Sequence, residues 1–318
     1  MTQSIDPLLN NALWITWEKQ RRNHSMSRLL GVPLYELISH RGRLNRYFTL
    51  SWQTLRLIKQ KKPATVFAQN PSIVLSLLVV IASRPLNFRV VIDEHNTGLF
   101  PQEGRSRLLG AVARYIVRNA DQVIVTTQGL QRVCEQWGGR ALVMPDPLPE
   151  FKDSLLNQSR HFRDTTPPQP FRALFICTWA ADEPYREVIE AMKHFSPKQL
   201  QLSITGNPGS KINNLSIPEN VTVMGFLPEE DYLRALVKCH FVVVLTTRED
   251  CLNCGAYEAV TMEKPGLLSD TQALKTYFSE GFRFCHTDTK SIVAGIDQLM
   301  AQYVRLWRDI AWLKRKLS

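Results

Sequence analysis

Residues 241–270 read FVVVLTTREDCLNCGAYEAVTMEKPGLLSD, and the order of residue types in this stretch decides the fold. FVVV is a strand too apolar to be half exposed, so both of its faces must be covered. The strand runs into the acidic pair Glu249-Asp250, a turn of small residues follows, and a helix opens near Gly255 with Glu258 in its first turns. GLLS at 266–269 is a second buried strand. Strand, helix and strand in this sequence make one repeat of a parallel sheet covered on both sides. Such a strand–loop–helix aims free backbone N–H groups at whatever sits above the strand end. A diphosphate suits that position, because the helix N-terminus is partly positive and Gly255-Ala256 allows close approach. Glu258 is placed to accept hydrogen bonds from ribose hydroxyls, and Asp250 from the hydroxyls of a transferred sugar.

The same alternation runs outward in both directions. Strands are expected at 171–177, 201–205, 221–225, 241–247, 266–269 and 282–286, with helices at 185–195, 229–238, 255–262, 272–279 and from 291 onward. Before them, strands are expected at 12–17, 34–38, 65–69, 88–93, 122–127 and 141–145, with helices at 25–30, 44–61, 72–83, 105–119 and 129–137. A proline cluster, TTPPQP at 165–170, interrupts the series and reads as a linker. The expected fold class is therefore α/β, with two doubly wound Rossmann-like parallel-sheet domains facing each other across a cleft. Ligands of such sheets bind outside the C-terminal ends of the strands. The expected division is an N-terminal acceptor-binding domain at 1–165, a nucleotide-sugar-binding domain at 166–295 and a C-terminal helix at 296–318 packing back toward the N-terminal domain.

Composition narrows the partners. The chain of 318 residues is 44% hydrophobic and 21% charged, and its length exceeds what one core usually organises. Residues 1–165 carry 22 Lys/Arg against 12 Asp/Glu, whereas 166–318 carry 17 of each, so the whole net charge of +10 lies in the first half. That asymmetry points to an anionic partner there: an acidic membrane surface or a phosphorylated acceptor. Nucleic acid is not expected, for no recognised module or basic–aromatic platform is present. The six cysteines have no framework spacing and are read as reduced. The Cys251-Leu-Asn-Cys254 pair lacks two further ligands for zinc and a thioredoxin-like setting for redox work. Residues 1–11 lack a basic segment before an apolar one, so no leader is expected, and the longest apolar run, 73–82, is half a membrane span. Cytoplasmic residence follows, with peripheral contact at the inner face of a membrane as an option.

Asp250-x7-Glu258, followed by Ala259 and by Pro265, resembles the E-x7-E segment of the large retaining GT-B glycosyltransferase family. In that family the first acid contacts the donor sugar and the second the ribose. Here Asp stands for the first Glu, and Leu252-Asn253 where Phe-Gly is usual. FAQNP at 67–71, VVIDEHNTG at 90–98, TWAADEPY at 178–185 and ITGNP at 204–208 are similar to segments of the eukaryotic chitobiosyldiphosphodolichol beta-mannosyltransferases, which have the types QNP, VIDWHNYG, SWTEDEDF and ITGKGP. The resemblance spans roughly 65–280. It implies transfer of a hexose, with mannose one option, from a GDP- or UDP-sugar to a lipid-linked or polysaccharide-precursor glycan. It leaves retention or inversion open.

Site residues follow partly from the resemblance. It implies that His95, at a strand end before Asn96 and Gly98, binds the donor sugar or polarises its anomeric region. Asp93 or Glu94 is a candidate general base for an inverting transfer. His95, Asp250 and Glu258 form the expected catalytic set. Donor contacts are expected from Thr178, Trp179, Gly206, Asn207, Phe226, Cys254, Gly255, Ala256 and Glu258. The retaining family usually places an Arg and a Lys after the strand at 171–177; this chain has Ala-Ala-Asp-Glu there, leaving Arg248, Lys211 or backbone dipoles to meet the diphosphate. Acceptor contacts are expected from Trp17, Glu18, Arg21, Arg22 and Asn96, because WITWEKQRRNH at 14–24 bunches cations that can hold a pyrophosphate. No D-x-D metal site stands near the strand ends, and neither metal nor another cofactor is expected. The loss of the Arg/Lys pair keeps one alternative alive, a catalytically inactive GT-B partner subunit. A membrane-facing role is expected of Arg105, Arg107, Arg114 and Arg118, interleaved with Leu108, Leu109, Val112 and Ile116, and of Arg56, Lys59, Lys61 and Lys62.

Overall fold

A computed structural model describes residues 6–39, 42–70, 72–161 and 169–318. The chain divides into two compact units, Met1–Pro147 and Leu148–Ser318. The first contains β1 (Ala12–Thr16), α1 (Arg21–Leu29), β2 (Leu34–Glu36), α2 (Arg43–Lys61), β3 (Thr65–Asn70), α3 (Ile73–Leu86), β4 (Arg89–Glu94), α4 (Asn96–Leu99), α5 (Arg107–Asn119), β5 (Gln122–Val125), α6 (Gln128–Gln136) and β6 (Ala141–Val143). The strands form one sheet in the order β2-β1-β3-β4-β5-β6, every pairing parallel. Side chains alternate across it. Val66, Ala68, Val90 and Ile92 face a large core with α2, α3, α5 and α6, while Trp14, Phe67, Val91 and Ile124 meet Met26 of α1 on the other face.

The second unit contains α7 (Asp153–His161), β7 (Phe171–Phe175), α8 (Tyr185–Ala191), β8 (Leu200–Thr205), β9 (Val221–Gly225), α9 (Glu229–Lys238), β10 (Phe241–Val244), α10 (Cys254–Met262), β11 (Gly266–Ser269), α11 (Gln272–Tyr277), β12 (Phe282–Cys285), α12 (Thr289–Ala301) and α13 (Tyr303–Leu317). Its parallel sheet has the order β12-β11-β10-β7-β8-β9, the doubly wound dinucleotide-binding topology. Phe175, Ile204 and Val243 face one core, Leu174, Val242 and Leu268 the other.

The two sheets and the helices around them follow the expected alternation, with shifts at element ends that have local causes. The strand expected to reach 127 stops at Val125, because the Thr127 hydroxyl accepts the Leu130 N–H and caps α6. The strand expected to reach 247 stops at Val244, where Thr246 turns to donate from Oγ1 to Asp182 and to take Ser269 Oγ at its N–H, each at 2.8 Å. Helix α7 was not anticipated. Its Leu155 and Leu156, with Leu148 and Phe151 before them, pack on the second core, and Ser159 Oγ donates to Met262 O. The units therefore divide at Pro147/Leu148 rather than at 165/166. Of the expected linker, 165–168 lie outside the described residues, as does Pro71. The C-terminal helix is anchored in the second unit, with Ile310 and Leu313 in its core and Lys314 Nζ on Thr261 O and Glu263. Among the described residues no helix is long and apolar enough to cross a membrane, and all six cysteines are free.

Candidate active site

In the second sheet the chain runs β7, β8, β9 to one edge and then β10, β11, β12 to the other. The crevice of such a sheet opens where the direction reverses, above the ends of β7 and β10. Three segments meet there. The loop after β7 carries TWAADE at 178–183, the loop after β10 carries TTRED at 246–250, and α10 opens beyond it. A Cβ on Gly255 would stand 3.0 Å from the side chain of Ile176, so glycine lets the first turn of α10 lie close to the end of β7 without displacing that side chain. Asn253, the N-cap, makes no side-chain cap, and its Oδ1 is buried without a hydrogen-bond partner. The positive end of a nine-residue helix is thus aimed at the crevice.

The loops around it are tied to one another. Asp182 accepts from Thr246 Oγ1 at 2.8 Å and pairs with Arg248 at 3.2 Å, and its backbone carbonyl takes the Thr247 N–H. Glu183 folds back so that its carboxylate accepts from the N–H groups of Thr178 (2.9 Å) and Ala180 (2.8 Å) and from Thr178 Oγ1. The backbone nest after β7 is therefore filled by the chain's own carboxylate. Trp179 turns inward at φ +62°, is 1% exposed, and donates from Nε1 to the carbonyls of Thr205 and Gly206. Its carbonyl accepts from Lys211.

These contacts revise the donor set. Trp179 is a core residue whose indole holds the neighbouring loop, not a surface for a ligand. Ala256 is fully buried and its N–H bonds Asn253 O, so it positions the helix rather than touching a donor. Arg248 and Lys211, the cations considered for the diphosphate, are engaged in fastening the loop. Thr178 is exposed; Gly206 lies against Cys177 O; Asn207 is exposed with Oδ1 on the Gly209 N–H; Cys254 is exposed at the start of α10. Asp250 is half-buried on the loop before α10. Phe226, directly after β9, is 80% exposed. Glu258 is 8% exposed and accepts the Tyr232 phenol on Oε2, a partner on α9 that the sequence reading missed.

The first sheet reverses between β1 and β3, and a polar network fills the space above their ends. Asn23 of α1 accepts from the Trp14 indole at 3.1 Å and donates to Thr16 Oγ1 at 3.0 Å and Gln69 Oε1 at 2.8 Å. Gln69 in turn reaches Gln20 Oε1 at 2.6 Å and lies 3.2 Å from His95 Nε2. That nitrogen is 3.4 Å from Asp93 Oδ2. Arg22 completes the cluster: Nε and Nη2 grip the Asp93 carboxylate, at 2.6 Å for the shortest contact, and Nη1 reaches Asp146 at 2.7 Å. Burial raises the Asp93 carboxyl, but the Arg22 charge and the hydrogen bonds from His95 and Arg22 outweigh it and hold it well below the usual carboxylate range.

Glu94 leaves the opposite face of β4. Burial pushes its carboxyl well above the usual range, with only the Asn70 Nδ2 bond (3.0 Å) opposing. Neither acid is exposed, so neither reaches an acceptor, and the general base expected of one of them is corrected on that ground. Of the acceptor set, Trp17 is 1% exposed with its indole on Thr54, and Arg22 is 7% exposed and fully engaged. Both shape the site from within. Glu18 and Asn96 are half-buried, Arg21 is exposed, and His95 has 26% of its side chain exposed. Asn23, Gln69, Gln20 and Asp146 were missed; the one sequence signal for them is the polar pair Gln69-Asn70 closing an apolar strand. Among the described residues no group of three or more His, Cys, Asp or Glu could hold a metal ion.

Residues 15–145 match the glycosyl transferase 4-like domain family. No protein with a curated description is matched by the sequence. Among solved structures, sucrose-phosphate synthase from Thermosynechococcus elongatus is similar at 14% identity and TM-score 0.70, over 89% of this chain and 76% of that one. The HepE protein of Anabaena, in complex with UDP and glucose, gives 14% identity and TM-score 0.72 over 96% and 95%. A UDP-GlcNAc 2-epimerase from Methanocaldococcus jannaschii shares the fold more distantly, at 9% identity and TM-score 0.58 over 96% and 99%. Residues 15–145 thus carry the signature of a glycosyl transferase 4-like domain, and the chain has the two-sheet α/β fold of GT-B glycosyltransferases.

Proposed function

We propose that this protein is a glycosyltransferase that moves a hexose from a UDP-sugar to a hydroxyl of a lipid-linked or polysaccharide-precursor glycan at the cytoplasmic face of a membrane. The observation that carries the reading is the crevice of the second sheet, where α10 opens without a side-chain hydrogen bond from its N-cap Asn253 and carries Glu258, with Asp250 on the loop before it. The helix dipole and its first N–H groups take the diphosphate, Glu258 the ribose, Asp250 the sugar, and Phe226 offers a stacking face for the base. The complexes of HepE with UDP, with UDP and glucose and with UDP-glucose support uridine over guanosine. The N-terminal domain takes the acceptor, over Glu18, Arg21 and Asn96. The His95 ring is positioned by Asp93 Oδ2, 3.4 Å from its Nε2, and by the Gln69 side-chain amide, 3.2 Å from the same nitrogen, and is the group proposed to take the acceptor proton. The inactive-subunit alternative gains no support, since the missing Arg/Lys pair coincides with an intact helix-end site.

Calorimetric titration with UDP, GDP and their hexose derivatives, followed by turnover assays, tests this. Glu258→Ala is expected to abolish transfer and weaken donor binding. His95→Ala is expected to lower turnover about 100-fold or more, the range of general acid–base catalysis, with donor affinity nearly unchanged. Tight UDP binding without transfer of any hexose would overturn the enzymatic reading.

A further inference from the structure

Helix α2 carries large apolar side chains on its exposed face as well as on its buried one. Its inward residues Leu50, Thr54 and Ile58 are at most 2% exposed, yet Leu44, Phe48 and Trp52 are 84%, 78% and 55% exposed. Spaced four apart, these three large side chains stand in line on one outer face. Apolar side chains of this size exposed singly are ordinary, but three in a row on one helix mark a surface that meets something. The same face continues into cations. The Arg56 guanidinium lies 5.2 Å from the Trp52 ring centroid, Lys59 is exposed one turn further, and Lys59 and Lys62 line an open depression of about 460 Å³ with Pro63, Pro85 and Leu86. In sequence α2 contains five Lys/Arg and no Asp or Glu. Leu44 to Lys59 spans about 22 Å at 1.5 Å per residue.

We propose that this outer face of α2 docks the protein on an anionic lipid bilayer, with Leu44, Phe48 and Trp52 entering the interface and Arg56, Lys59 and Lys62 meeting the lipid phosphates. The inference rests on the reading of the acceptor as lipid-linked and names the surface that would bring the enzyme to it. Charge selects this occupant. A second copy of the same face would oppose cations to cations, and a nucleic acid would leave Leu44 and Phe48 without a partner, whereas an amphipathic helix with a cationic end fits a headgroup boundary. Helix α5, expected from sequence to share the docking role with Arg56, Lys59, Lys61 and Lys62, is different: Ala113, Ile116 and Val117 are buried in the core, Arg114 lies over Trp137, and Arg118 donates to the Trp137 carbonyl.

Flotation of the full chain with phosphatidylcholine vesicles, with and without about a third phosphatidylglycerol, tests the proposal at low salt. The chain is expected to float only with the anionic vesicles. Phe48→Ser with Trp52→Ser, and separately Arg56→Glu with Lys59→Glu, should each weaken binding by about tenfold or more, while Arg107→Glu with Arg114→Glu leaves it unchanged. All variants replace exposed side chains, and turnover of a water-soluble acceptor should be unaltered by the α2 changes. Absent flotation, flotation insensitive to the α2 variants, or α2-dependent dimerisation or DNA binding without flotation would each overturn it. If turnover is absent while flotation behaves as expected, the glycosyltransferase reading fails and the docking surface stands.

Discussion

Asp93 and Glu94 follow one another on β4, but their side chains leave opposite faces of the sheet and meet opposite environments. Asp93 faces α1 and finds Arg22; its depressed pKa means that its stabilisation is complete above about pH 4 and is lost only in strong acid. Glu94 faces the larger core and finds only an amide. A raised folded-state pKa makes the native state hold a proton that the unfolded chain has released, so stability falls as pH rises above the unfolded value of about 4.3. Glu94→Gln, which keeps the shape without the titration, should flatten the decline in melting temperature between about pH 5 and 8; an unchanged profile would show that Glu94 is not the group responsible. His240 works in the other direction. Burial first, then the Arg172 and Lys264 charges, lower it to about 4, and its Nδ1 accepts the Arg172 N–H at 2.8 Å. The unfolded chain takes up the proton first, so stability is full above about pH 6.5 and declines toward pH 4 by up to about 3 kcal/mol. Denaturant titrations of His240→Asn, which retains an acceptor, should show a shallower loss over that window.

Loop closure in the second unit depends on one backbone position. Gly206 has φ +82°, and a Cβ there would stand 2.2 Å from Cys177 O, a backbone atom that cannot swing aside. Gly206→Ala should therefore push the β8 loop from the β7 loop and lower stability by about 2 kcal/mol or more, with donor affinity falling alongside. A normal melting curve would show the two loops to be less closely coupled than drawn. Most of the sheet elements were legible beforehand, because strands buried on both faces are written as β-branched runs that need no partner to be recognised. Helix α7 was not, since DSLLNQSRH has a weak apolar stripe and the proline cluster beyond it outweighed that stripe as a boundary signal. The candidate site was legible as a position in the fold and less so as a set of side-chain contacts. Glu258 and Asp250 are marked by their position before and within a helix. Arg22 and Trp179 looked like ligand contacts, because their partners lie far off in sequence: Asp93, 71 residues on, and the carbonyls at 205 and 206.

At the scale of the whole molecule, charge and proposed function divide along the same line. The unit Met1–Pro147 holds 19 Lys/Arg and nine Asp/Glu, the unit Leu148–Ser318 20 of each. A nucleotide diphosphate is itself strongly anionic, yet the unit proposed to bind it has no net charge, and Arg248 and Lys211 are committed to loop contacts. Affinity for the donor must then come from oriented dipoles rather than from net attraction. Dipoles held by a fixed helix end are screened less by salt than exposed ion pairs are. Donor affinity is accordingly expected to change only weakly, within about threefold between 0.05 and 0.5 M salt, while vesicle binding by the basic unit collapses over the same range. Hydrogen exchange with saturating UDP should add protection to the segment from Thr246 to Met262 and leave the first unit's strands unaltered, because binding stabilises the unit that binds, by about 2.7 kcal/mol at a hundredfold excess over Kd. Steep loss of UDP affinity with salt, or protection centred on residues 14–24 instead, would place the nucleotide on the basic unit and reverse the assignment of donor and acceptor.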